Sequence, residues 1–159
     1  MKRTSLQLVV LSVALVCSGF TVAETGKAYM FYDKSEPQVM PDGTMVQKST
    51  SHGAFHLTNQ PEGFPSTMAG RCEDVWVMGA DNSNKGSTFT CIVEDNDGGG
   101  YMNVGFITGA DWSGCSFKTV SGWGKYAGAS VSGTCQPTGP FAGADTGSVT
   151  WAGEWTLPE

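Results

Sequence analysis

The sequence has few of the residues and motifs on which most enzymes depend. It contains two histidines among 159 residues, and neither stands in a context that identifies a catalytic triad. The nucleophile elbow G-x-S-x-G does not occur. Nucleophilic catalysis therefore has no support from a linear motif. A triad or a pair of carboxylates assembled only in space remains open.

Phosphate-binding loops are also absent, although one glycine-rich stretch invites the comparison. Residues 121–135 read SGWGKYAGASVSGTC. Gly122, Gly124 and Gly128 are spaced one residue too widely for a dinucleotide-binding fingerprint, and the residues of a Walker loop do not surround Lys125. The stretch is typical of a glycine-rich hairpin centred on that lysine, where glycine permits tight turning.

Basic residues are scarce, and two of the nine stand at the start of the chain. Lys2 and Arg3 precede an apolar run that ends in TVA, which predicts a secretory signal peptide over residues 1–23. Lipidation at Cys17 is the weaker alternative, because Val16 is large for the position before a lipidated cysteine. We expect one mature domain over residues 24–159, in the periplasm of a Gram-negative bacterium or secreted.

The charge balance disfavours two classes of partner. Removal of the two basic residues would change the formal net charge from −6 to −8. Such a surface repels nucleic acid and anionic lipid. No second apolar run is long enough to span a bilayer, so we expect no membrane span after signal cleavage.

Closely spaced cysteine pairs are missing as well. Without Cys17, four cysteines remain, separated by 19, 24 and 20 positions: Cys72, Cys91, Cys115 and Cys135. Zinc sites usually bring cysteines in pairs such as C-x-x-C, so an even number in an exported chain predicts two disulfides instead.

Short alternating segments separated by Gly, Asn, Asp and Ser replace amphipathic helices throughout the chain. They predict an all-β fold, an antiparallel meander barrel of eight strands. The candidate strands lie near 28–32, 52–59, 70–78, 87–94, 101–108, 113–121, 129–136 and 148–157, and a further strand lies near 44–48.

The positions of the hairpin turns predict which cysteines pair. In a hairpin, the numbers of opposed residues have a constant sum set by the turn. The turn near residue 82 places Cys72 opposite Cys91, and the turn at Lys125 places Cys115 opposite Cys135. Each disulfide would then link neighbouring strands, while links between non-adjacent strands remain the alternative.

Strand alternation also selects two candidate ligand-binding residues, Asp74 and Trp76. Both share a face with Cys72, and this face predicts the barrel interior. A buried carboxylate is costly unless it is paired, so it can mark a site. The alternative is a structural acid bonded to backbone N–H groups or to Arg71. The apolar Val75 also leaves the reverse orientation open.

Two further strands have assigned faces. Met102, Val104 and Phe106 are interpreted as the apolar, core-facing side of their strand. In the last strand Trp151 and Trp155 share a face, and we expect them to fill the core or one barrel mouth.

We predict no metal site and no cofactor. His52 and His56 alternate with apolar residues as in a strand, which would separate them too far to share one metal. The stretch EDNDGGGYMNVG resembles a calcium loop but has Phe106 where the bidentate Glu is required. It is better interpreted as a hairpin turn, with a weak cation site at Glu94, Asp95 and Asp97 as the alternative.

Three segments carry a resemblance to a known family. GWGKYAGASVSGTC, the terminal WAGEWTLPE and the acidic VEDNDGGG resemble the G-x-G-K-[YF]-x-G-x-x-G-x-G turn, the closing G-x-W strand and the D-x-D-G hairpin of exported bacterial proteins. Those proteins resemble the allene oxide cyclase and dirigent type of β-barrel. The resemblance covers residues 70–157. It implies an eight-stranded antiparallel barrel with a central cavity, and plant members include a cyclase and proteins that guide stereochemistry. None of their catalytic motifs matches here, and the two disulfides set this chain apart.

Three functions fit these expectations. The first is an exported barrel that binds a small apolar or amphipathic molecule. The second is a cyclase or isomerase acting inside the barrel, which a cavity with an inward acid would favour. The third is a structural or inhibitory envelope protein, which a filled interior would favour.

Overall fold

The computed structural model describes residues 20–138 and 145–158. These residues form nine antiparallel strands and one 3₁₀ turn over Gly124–Tyr126. The strands are β1 (Phe20–Lys34), β2 (Gln38–Val39), β3 (Met45–Thr58), β4 (Thr67–Met78), β5 (Ser87–Glu94), β6 (Gly100–Ile107), β7 (Cys115–Trp123), β8 (Ser130–Thr138) and β9 (Thr146–Leu157).

Eight of these strands close into a barrel, as the sequence predicted. Each strand from β3 to β9 pairs with the next, and β1 closes the ring by pairing with both β9 and β3. The short β2 is an addition on the edge of β3. No helix in the described ranges is long and apolar enough to cross a membrane.

Two strand boundaries differ from prediction. The segment near 44–48 is the first part of β3, which continues without a break to Thr58. The predicted first strand, near 28–32, extends back to Phe20. Residues 1–19 of the predicted signal peptide lie outside the described residues. Its last four form the start of β1 and pair with β9, whereas pairing with β3 begins at Thr25. The domain boundary after residue 23 stays a prediction.

Both disulfide predictions are confirmed. Cys72 lies directly opposite Cys91 on β4 and β5, and Cys115 lies directly opposite Cys135 on β7 and β8. Each bond therefore joins two neighbouring strands of the barrel. Two disulfides are typical of proteins in oxidising compartments.

The predicted inner face of β6 is wrong. Tyr101 and Ile107 are buried, whereas Phe106 is 51% exposed on the opposite face with Met102 and Val104. The cause lies in the neighbouring strand, where the inward ring of Phe89 packs over Gly105. A side chain at residue 105 would collide with that ring, so the small residue must face inward and fixes the strand's orientation.

One half of the interior is filled by aromatic rings. We call Phe64, Tyr101, Tyr126 and Trp155 the aromatic plug. Ring centroids lie 4.6 Å apart for Phe64 and Tyr126, and 5.1 Å apart for Tyr101 and Trp155. Tyr126 and Trp155 are fully buried. Trp155 thus fills the core as predicted for the closing strand, and the barrel is solid at this end.

The glycine-rich hairpin forms the outer side of the plug. Gly124 has a φ of 62° and lies against Gly99 of the acidic hairpin, so a side chain there would be strained and would meet backbone. This turn directs Tyr126 into the plug. Residues 121–135 therefore have a structural role.

Candidate functional site

The other half of the barrel interior holds a cavity of about 90 Å³. Its described lining is predominantly apolar. Six aromatic side chains contribute: Tyr32, Phe55, Trp76, Phe89, Phe117 and Trp151. All four half-cystines also line it, so the disulfides fix strands that form the cavity wall.

Asp74 is the one charged residue among the described residues that line this cavity. It points inward from β4, as strand alternation predicted, and is 7% exposed. Its Oδ2 accepts hydrogen bonds from the hydroxyls of Ser49 and Ser51 on β3, each 3.2 Å away. The partners are therefore serine hydroxyls, while Arg71 lies on the exposed outer face.

The second carboxylate oxygen of Asp74, Oδ1, differs from Oδ2 in its hydrogen bonding. No described residue donates a hydrogen bond to Oδ1, yet no buried polar side-chain atom in the described ranges is left without a partner. Oδ1 is therefore accessible from unfilled space, and Asp74 lines both the cavity and a groove along β1, β3 and β4. A molecule in the cavity could bond to it.

Burial controls the protonation of this carboxyl group. It raises the pKa of Asp74 to about 6, against the lowering effect of the two serine hydroxyls. Tyr32 lines the same cavity from β1. Burial, and secondly the negative charge of Asp74, raise the pKa of the Tyr32 phenol to about 12. The carboxyl group can thus exchange a proton near neutral pH, whereas the phenol stays protonated.

Trp76 connects this acid to the aromatic lining. Its Nε1 donates to the Ser49 hydroxyl at 2.8 Å, and that hydroxyl donates to Asp74. The Trp76 ring lies 6.3 Å from that of Tyr32 and 5.8 Å from that of Trp112, measured between centroids. Both candidate residues therefore lie together on the cavity wall, and their role in ligand binding stays a prediction.

A second groove, along β1, β3 and β4, also reaches Asp74. Its charged members come from β1, β3 and β4: Asp33, Lys34, Lys48 and Glu73. The Nζ of Lys34 lies 5.8 Å from the ring centroid of Tyr32. These groups and Tyr32 form the charged and titratable surroundings of the acid.

A second buried acid, Glu24, was not predicted from the sequence and is 2% exposed. Its Oε1 accepts a hydrogen bond from Trp151 Nε1 at 2.7 Å, and its Oε2 accepts one from Trp155 Nε1. Burial raises the pKa of Glu24, although both indole bonds act to lower it. Glu24 lies at every-second-residue spacing from Gly26, Ala28 and Met30. This shared strand face is the sequence signal that places Glu24 inside.

The acidic hairpin after β5 is a structural turn. Asp95 forms a 2.8 Å ion pair with Lys125 and accepts hydrogen bonds from the Tyr126 hydroxyl and from the N–H groups of Asp97 and Gly99. Burial acts to raise the pKa of Asp95, but these bonds together lower it to about 2. Lys125 thus supplies the cationic partner of Asp95. The described ranges contain no group of three His, Cys, Asp or Glu side chains arranged for a metal ion.

The histidines lie on the outside of β3, as predicted. The His52 ring stacks on Phe31 with a centroid distance of 5.8 Å, and His56 lies edge-on to Tyr29 at 6.2 Å. Neither contributes to the cavity.

Comparison with family models, curated proteins and solved structures finds no match to this chain. The class defined by the structure is a closed eight-stranded antiparallel barrel with two disulfides, an aromatic plug and an internal cavity.

Proposed function

We propose that the protein is an exported, disulfide-stabilised barrel that binds a small apolar or amphipathic molecule in its cavity. This proposal rests on a predominantly apolar cavity of about 90 Å³ whose described lining contains one charged residue, Asp74. Ligand sites commonly combine apolar walls with a few polar groups that set orientation.

The cavity size limits the ligand. Drug-sized pockets measure about 300–1,000 Å³, and a dry protein cavity of about 150 Å³ accommodates benzene. A cavity of about 90 Å³ therefore suits a molecule of a few non-hydrogen atoms, or one end of a longer molecule. Most of the wall is apolar, and its polar side chains are those of Tyr32, Ser51, Asp74 and Asn103.

Export and family membership belong to the same proposal. The basic start, apolar run and TVA ending of residues 1–23 support export, and two disulfides fit an oxidising compartment. The three sequence segments that resemble the allene oxide cyclase and dirigent type of barrel support a shared ancestry. In that case ligand binding in the barrel would be the inherited feature.

A cyclase or isomerase is the second candidate, favoured by the inward acid. A carboxyl group with a pKa of about 6 can act as a general acid or base near neutral pH. The third candidate, an envelope protein with a filled interior, accounts for the aromatic plug but leaves the cavity unexplained.

Native mass spectrometry of the protein isolated from its own periplasm tests binding. We expect a reproducible small molecule that remains with the native protein and is released on unfolding. Val149→Phe fills the cavity from β9 and should abolish retention. The matched control Thr150→Phe adds the same ring on the exposed face of β9 and should retain the molecule. Equal retention by both variants would contradict the cavity as the site.

A kinetic measurement separates the first two candidates. If the released molecule is converted to an isomer by fresh protein, Asp74→Asn should lose the conversion even at concentrations of the molecule that saturate the variant. Conversion at an unchanged rate in Asp74→Asn would exclude Asp74 as the acid or base, and absence of conversion by the parent protein would remove the isomerase candidate.

A further inference from the structure

The charge on the described cavity lining is negative, although Lys34 lies nearby with its Nζ 5.8 Å from the ring centroid of Tyr32. Its described lining contains one carboxylate and no lysine, arginine or histidine. The Asp74 carboxylate is held by two neutral hydroxyls, and its Oδ1 lacks a donor among the described residues. A ligand that supplies positive charge would complete this arrangement, whereas an anion would be repelled.

The aromatic lining adds a second, independent preference. The faces of aromatic rings attract cations through the ring quadrupole, and rings that surround one volume form the cages that recognise ammonium groups. Tyr32 and Trp76 lie beside Asp74 on the same wall, with ring centroids 6.3 Å apart.

We infer that the cavity binds an organic cation, a small ammonium group or the ammonium end of a longer molecule, between Asp74 and the aromatic rings. This inference rests on the proposed function, because it names the chemical class of the molecule that occupies the cavity. Asp74 neutralises the charge, and the rings of Tyr32 and Trp76 cover the alkyl groups. The two disulfides keep the strands of the wall in register.

The size of the cavity selects the probes. Tetramethylammonium and tert-butanol each have five non-hydrogen atoms and a similar globular shape, but the first carries a permanent charge and the second carries none. Both suit a cavity of about 90 Å³. A permanent charge also removes the ligand's own titration from the measurement. The indole N–H resonance of Trp76 reports occupancy in titrations followed by NMR.

We expect tetramethylammonium to bind at neutral pH at least about tenfold more tightly than tert-butanol, because it gains both charge pairing and cation–π contact. In Asp74→Asn this preference should fall by about tenfold or more, while binding of tert-butanol should change little. The matched control Glu73→Gln removes the same charge from the adjacent, outward-facing residue of β4. It should preserve the preference.

The outcomes distinguish this inference from the proposed function. If tert-butanol binds and tetramethylammonium binds equally or more weakly, the inference of a cationic ligand is overturned. The cavity then still stands as a ligand site. A preference that Asp74→Asn and Glu73→Gln reduce equally also overturns it, because the effect would then come from net charge. Absence of binding by both probes overturns the inference and the proposed function together.

Discussion

Two carboxylates are buried in the same barrel, but their hydrogen bonds differ. Glu24 has both oxygens occupied by indole N–H groups of the closing strand. Asp74 has one oxygen occupied by two serine hydroxyls and the other without a donor in the described structure. The first acid is fully satisfied by the aromatic core, which is the condition for a structural role. The second retains bonding capacity beside a cavity, which is the condition for a site.

The largest expected effect is a difference in stability between two tryptophan variants, one in the aromatic plug and one at the cavity. Trp155→Ala should destabilise the fold by about 3–5 kcal/mol, because truncating a buried aromatic residue leaves a void. It also removes one of the donors to Glu24. Trp76→Ala should cost less, because its ring already borders unfilled space. Urea unfolding of both variants measures the difference. A larger loss for Trp76→Ala would contradict the division into a plug and a cavity.

The next effect is the pH dependence caused by Asp74. Burial raises its pKa from 3.8 to about 6, so the ionised carboxyl group destabilises the folded state as pH rises from about 4 to about 6. Asp74→Asn removes this penalty. Its free energy of unfolding should exceed that of the parent protein by up to about 3 kcal/mol at pH 8, and the excess should disappear near pH 3.

Thermal unfolding across pH 3–8 measures this effect, with Glu73→Gln as the control. The control removes an exposed charge from the same strand and should show no comparable gain. If Asp74→Asn were less stable than the parent protein at pH 8, the carboxylate would be an essential structural acid like Glu24.

Glu24→Gln should have the opposite sign, although burial raises the pKa of this acid as well. The amide would place an NH₂ group against one of the two indole N–H donors, so one hydrogen bond is lost and two donors face each other. We expect a loss of about 1–3 kcal/mol near neutral pH, the cost of leaving a buried polar group unsatisfied. Urea unfolding beside Asp74→Asn makes the comparison direct. A gain in stability for both variants would refute the contrast between the two acids.

Much of this arrangement could be predicted from the sequence, because hairpin registers follow from turn positions. These registers predicted both disulfides, and strand alternation predicted the inward direction of Asp74. The serine partners were missed because Ser49 and Ser51 fall between the two segments predicted near 44–48 and 52–59, which are one strand. Glu24 was missed because the first strand was predicted to begin at residue 28.

The interior face of β6 shows the physical limit of pattern analysis. Hydrophobicity favoured Met102, Val104 and Phe106, yet Phe89 on the neighbouring strand requires the small Gly105 opposite its ring. Complementary size across strands decided the face, and it becomes visible only when the pairing is known. The cavity has the same origin, since unfilled volume depends on how rings from several strands meet.

The smallest expected effect on stability involves a third acid, Asp95. It differs from Glu24 and Asp74 because it forms an ion pair with a lysine. Its pKa is lowered to about 2, so it stabilises the fold above pH 4 and this contribution is lost as pH falls towards 2. Lys125→Met removes the ion pair but keeps the bonds from Tyr126 and the backbone.

The variant should therefore lose a little stability at pH 6 and show a shallower decline between pH 4 and pH 2. The Lys125 side chain is 34% exposed, so solvent weakens its pairing with the buried Asp95 carboxylate. Lys118→Met, at an exposed position on β7, is the matched control for loss of a positive charge. Thermal unfolding at both ends of this range measures the effect. An unchanged acid slope in Lys125→Met would show that the Tyr126 hydroxyl and the backbone N–H groups alone hold Asp95 ionised. Lys125 would then not contribute to the contacts between Asp95 and Tyr126 of the aromatic plug.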